Sequence, residues 1–156
     1  MNNKGQTLVE VIVAVGIIVI VLVAVVAGVV QSVRNTRFAK EQATATRYAQ
    51  ETIEWLRRQR DELGWEPFYN LLDADAASGV VTYCLSSLPE TSLIFEALLD
   101  KGASSCSQIG TSVFSREMTV TLAETQDSVD MVVRVSWQEG ERAHNSELTG
   151  KLAKWE

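Results

Sequence analysis

Hydrophobic and polar positions divide the chain into regimes with different periods. From Val11 to Val30, twenty consecutive residues carry neither charge nor a side-chain hydrogen-bonding group. At about 1.5 Å per helical residue the run spans roughly 30 Å, the thickness of a bilayer's hydrocarbon core. It predicts a transmembrane helix. After Gln31 the sequence turns polar, with no Pro or Gly until Gly64, and Phe38, Ala45, Ala49, Ile53, Leu56 and Leu63 recur at helical intervals along one face. That stripe predicts an amphipathic continuation of the same helix, which would be roughly 85 Å long from Gln6 to Glu62. Gly64, with Pro67 three residues later, is expected to stop it.

In the last third the period changes to two. Phe114, Met118, Val120 and Leu122 alternate with Ser115, Glu117, Thr119 and Thr121, and Met131, Val133, Val135 and Trp137 repeat the pattern after a polar break at 124–128. Both read as half-buried strands. Glu139-Gly140-Glu141 predicts a turn into a third strand over Glu147 to Trp155. Between helix and strands the signal is weak. Leu71-Leu72 and Leu93 to Leu99 suggest short helices, Val80 to Leu85 a strand carrying Cys84, and 103–107 a loop. The expected fold class is α+β, a long amino-terminal helix packed on a carboxy-terminal antiparallel β-sheet.

Charge sharpens this division. The net charge of −6 conceals a basic stretch over 31–60, with seven Lys/Arg against three Asp/Glu, and an acidic stretch over 61–156, with six against sixteen. An acidic distal part argues against nucleic acid as a partner, since phosphate binding needs clustered cations. The run Arg57-Arg58-x-Arg60 has Glu54, Asp61 and Glu62 within helical reach and reads as a solvated or subunit-facing surface. Cys84 and Cys106 lie beyond the apolar run. In an oxidising compartment they would form one disulfide, and in a reducing one they are two separate thiols.

Glu10 is the residue that tests each reading of the apolar run. A cleavable secretory signal would have a shorter apolar region followed by a small-residue cleavage site, and Val25-Val26-Ala27 is a poor match. A plain anchor fits the length but leaves a carboxylate at the membrane edge unexplained, and Arg34, Arg37 and Lys40 on the far side oppose the usual charge bias. Lys4-Gly5, followed by Gln6-Thr7-Leu8-Val9-Glu10 and the apolar run, resembles the class III leader of type IV pilins and type II secretion pseudopilins. Gln6 stands where that family more often has phenylalanine, and no proline interrupts the apolar helix.

The resemblance implies cleavage between Gly5 and Gln6 by a prepilin peptidase, N-methylation of Gln6, and an assembly role for Glu10 as the fifth mature residue. It implies five segments: a leader at 1–5, a transmembrane or filament-core helix half at 6–31, an amphipathic half at 32–64, a variable region at 65–110, and a pilin-like antiparallel sheet at 111–156. Implied partners are other pilin or pseudopilin subunits, the peptidase, an assembly platform protein and membrane lipid. The implied location is a single-pass precursor in the cytoplasmic membrane, amino terminus inside, later part of a surface or periplasmic filament. A membrane-anchored binding module or adhesin that never enters a filament is the alternative.

No enzyme signature emerges from the residues, and no catalytic group, cofactor or metal is assigned. His144, the single histidine, sits in what reads as an exposed polar turn without a metal-ligand spacing. Asp73-x-Asp75 and Asp127-x-x-Asp130 are spaced for a calcium loop but lack the density of oxygen ligands such a site uses, and read as solvated acids. Trp55 and Trp65 read as packing residues, and Trp155 as an anchor for the last strand.

Overall fold

A computed structural model describes residues 4–76, 78–88, 100–101 and 106–155. Two helices, α1 (Lys4–Leu63) and α2 (Trp65–Asp75), precede five strands: β1 (Val80–Cys84), β2 (Asp100–Lys101), β3 (Ser115–Leu122), β4 (Ser128–Glu139) and β5 (Arg142–Ala153). The strands form one antiparallel sheet in the order β2-β1-β3-β4-β5. This is a pilin-like α+β arrangement. The chain divides into two compact units, Met1–Glu41 and Gln42–Glu156.

In the second unit, period-two alternation builds the inner face of the sheet. Met118 on β3 pairs with Val133 on β4, Val120 with Met131, and Leu122 with Val129, and all six side chains are buried. Residues 42–63 of α1 cover this face. Ala45, Ala49, Ile53 and Leu56 are buried against it, spaced 4, 4 and 3 apart so that one stripe meets the sheet. Phe38, expected on the same stripe, belongs to the first unit and remains 39% exposed.

Small residues allow a close approach between helix and sheet. The inward positions of β5 include Ser146 and Gly150, opposite Val135 and Met131 of β4. The Thr46 and Ser146 hydroxyls lie 3.2 Å apart. A Cβ on Gly150 would stand 3.3 Å from Ile53 Cδ1 and 3.3 Å from Met131 Cγ, tighter than ordinary packing.

α1 stops where the sequence predicts, and two element starts differ from those read in the sequence. Gly64 ends α1 with φ of 80°, but α2 begins at the next residue and contains Pro67 in its first turn. The first-turn N–H groups of a helix have no intrahelical acceptor, so proline is tolerated there. Leu71 and Leu72 thus belong to an 11-residue helix that buries Phe68, Tyr69 and Leu72. β5 starts at Arg142 rather than Glu147, because Gly140, with φ of 63°, makes a two-residue turn and Glu139 pairs directly with Arg142. The expected helix at Leu93–Leu99 lies outside the described residues, as does most of the 103–107 loop.

Candidate functional site: the amino-terminal helix

The apolar half of α1 is exposed among the described residues. Between Leu8 and Val33 its large aliphatic side chains are 47–70% exposed, and it is one helix long and apolar enough to cross a membrane. At about 25 cal/mol per Å² of apolar surface, leaving such a segment in water costs on the order of tens of kcal/mol, so lipid or other helices must enclose it. Among the described residues nothing stands within 4 Å of where a Cβ on Gly16 or Gly28 would be, so none of them requires glycine at either position.

Helicity begins before the apolar run. Gly5 and Gln6 lie in the first turns of α1, and Glu10 follows on the same helix, exposed and without a hydrogen bond or ion pair among the described residues. One turn of helix rises about 5.4 Å, so Glu10 sits roughly one turn beyond Gln6. Residues 1–26 match the model of the prokaryotic N-terminal methylation motif. The chain carries a class III prepilin leader. No curated protein and no solved structure matches the chain. The motif spans the leader, Glu10 and most of the apolar helix, and it supports a pilin-like chain with a membrane-anchored precursor. The same motif fits a structural rather than an enzymatic chain.

The distal unit holds its candidate residues in structural roles. Cys84, at the end of β1, is bonded to Cys106, 22 positions on, with a Cα–Cα distance of 5.1 Å. That bond ties the strand end to the segment leading into β3. Asp75 accepts a hydrogen bond from Tyr83 at 3.3 Å, and burial, with the Asp75 carboxylate second, pushes the Tyr83 hydroxyl pKa far above its ordinary value. Asp127 accepts from Thr125 at 2.6 Å and Ser128 at 3.1 Å, which holds its carboxyl below the usual range. Among the described residues no three His, Cys, Asp or Glu side chains gather as a metal site.

His144 is not an exposed turn residue. It lies on β5 opposite Trp137 and stacks on it at 5.5 Å, with Nε2 3.6 Å from Glu139. Of the three arginines near the end of α1, Arg57 pairs with Glu54, while Arg60 pairs with Asp61 at 2.9 Å and lies 3.7 Å from the centre of the Trp155 ring. Trp55 is buried, and the Trp65 indole N–H donates to the Gln126 carbonyl at 2.8 Å.

Sequence reasoning missed Arg116. Its place in the alternation between Phe114 and Met118 points it inward, yet a charged residue reads as solvent-facing. The side chain is 2% exposed, donating from Nε to the Leu85 carbonyl at 3.1 Å and from Nη1 to the Tyr48 carbonyl at 3.3 Å. Burial lowers its pKa and Glu51 opposes that shift. The signal that could have found it is the unbroken period of two from Phe114 to Leu122.

Proposed function

We propose that this chain is a minor pilin or pseudopilin, a structural subunit of a type IV pilus-like filament. A prepilin peptidase cuts between Gly5 and Gln6 and methylates the new terminus at Gln6. An assembly platform then moves the subunit from the membrane into the filament, where it meets other pilin or pseudopilin subunits through the apolar half of α1. The observation that carries this reading is Glu10, an exposed carboxylate without a partner among the described residues, at the border of an exposed apolar helix and inside the matched motif. A charge in a low-dielectric setting is costly unless paired. The amino terminus created at Gln6, on this subunit or a neighbour, would supply the opposite charge, so Glu10 favours docking and sets its register.

The test is made on the full chain in cells with an active prepilin peptidase. We expect the mature chain to begin at methylated Gln6 by mass spectrometry. Glu10→Ala should still insert and be cut, but its share in sheared filaments relative to membranes should fall at least about tenfold, the equivalent of 1.4 kcal/mol in docking. A membrane form that begins at Met1 would instead support the anchored binding module. Wild-type incorporation of Glu10→Ala would remove the docking role.

A further inference from the structure

Arg34 and Arg37 stand just beyond the end of the apolar run opposite Glu10, and both are exposed on α1. Neither has a hydrogen bond or ion pair among the described residues, although Glu41 is four positions beyond Arg37. Two of the neighbouring polar side chains are bonded on the helix itself. Gln31 donates to Asn35 at 3.0 Å, and the Thr36 hydroxyl donates to the Ser32 carbonyl at 2.9 Å. The two guanidinium groups are thus charges without a counter-ion among the described residues, and Lys40 adds a third positive charge one turn on.

Their depth follows from the helix rise. Val30 ends an uncharged stretch of about 30 Å; Arg34 lies roughly 6 Å past it, within the phosphate layer of about 5–7 Å on each face of a bilayer, and Arg37 roughly 10 Å past it, a few Å outside that layer. Long arginine side chains also reach along a helix toward that layer. Planar guanidinium groups bind phosphate oxygens in a two-pronged way that an ammonium does not.

We propose that Arg34 and Arg37 bind the phosphates of anionic lipid headgroups in the leaflet away from the leader, fixing the depth at which Glu10 waits at the opposite face. This rests on the reading of the apolar half as a membrane span. The occupant is anionic phospholipid because Arg34 and Arg37 are cationic, lie at or next to headgroup depth, and pair with no acid among the described residues. The headgroup contact is released when a subunit leaves the membrane, so lipid charge acts on the same step as Glu10 pairing.

The full chain is reconstituted in vesicles with equal amounts of phosphatidylglycerol and phosphatidylcholine, and its membrane integration is checked by resistance to alkaline extraction. It is then released in mild detergent, and the retained lipid is counted by mass spectrometry. Each basic residue near an anionic surface strengthens binding by about fivefold, so a retained ratio at least about threefold in favour of phosphatidylglycerol is expected, falling with salt. Arg34→Gln with Arg37→Gln should bring the ratio to parity while integration persists. Arg58→Gln, an exposed arginine of the distal unit, should leave the ratio unchanged. Parity in the wild type, an unchanged ratio in the double variant, or loss of the preference when inorganic phosphate replaces chloride at the same ionic strength would each overturn the proposal. Failure of the chain to integrate at all would overturn the membrane span beneath it as well.

Discussion

Arg116 and Asp127 show how differently a charge behaves when buried and when exposed. Arg116 links β3 to the Leu85 carbonyl and to the Tyr48 carbonyl on α1, so its removal leaves a cavity and two weakened acceptors in the core. We expect Arg116→Ala to lower stability by about 3 kcal/mol in urea unfolding. Arg116→Met fills most of the volume without a charge to desolvate and should cost less than about 1.5 kcal/mol. Equal losses would mean that the carbonyl contacts, not the volume, dominate. Asp127 is exposed and its folded pKa lies below the unfolded one, chiefly because Thr125 and Ser128 donate to the carboxylate. Such a group adds stability above the ordinary carboxylate pKa, and that contribution disappears as pH falls through the folded value. Asp127→Asn should therefore flatten the pH dependence of the thermal midpoint below about pH 4 while leaving its acid limit close to wild type.

At the scale of elements, the meeting of α1 with β5 depends on residues that carry almost no pattern. Gly150 faces Ile53 and Met131 so closely that Gly150→Ala forces the neighbours aside, at about 1–3 kcal/mol. Shortening the obstacle should recover part of this. Gly150→Ala with Ile53→Val is expected to be more stable than the sum of the two single losses allows, measured as a double-mutant cycle in denaturant. Strict additivity would place the strain elsewhere. The existence of the long helix and of β1, β3 and β4 was legible, because sustained periods of 3.6 and 2 report which face is buried. The start of β5 was not, since Arg142, His144 and Ser146 are polar residues on its inner side and conceal the alternation. Gly64 and Pro67 marked the end of α1, but not that a new helix starts at Trp65, because proline is tolerated in a helix's first turn.

For the whole molecule, the two units have separate requirements. Every core side chain of the distal unit, from Ala45 to Leu152, lies within Gln42–Glu156, as does the disulfide. We expect a chain beginning at Gln42 to form the disulfide and to unfold in one cooperative urea transition with a fixed near-ultraviolet spectrum. A chain beginning at Thr52 loses Ala45, Tyr48 and Ala49 from the inner face and should lose that cooperativity. A cooperative Thr52 chain would show that the sheet does not need this part of α1. The amino-acid sequence by itself determined the leader, Glu10 at the border of the apolar run, the membrane-length helix and the alternating strands. These are local or periodic features, and a twenty-residue apolar segment has few environments open to it. Only the tertiary structure decided that Arg116 is buried, that His144 stacks on Trp137, that Gly150 admits the helix, and that Arg60 lies against Trp155. Each depends on which residues, far apart in the chain, come to share a face, and burial and hydrogen bonding between such residues leave no spacing that the sequence can display.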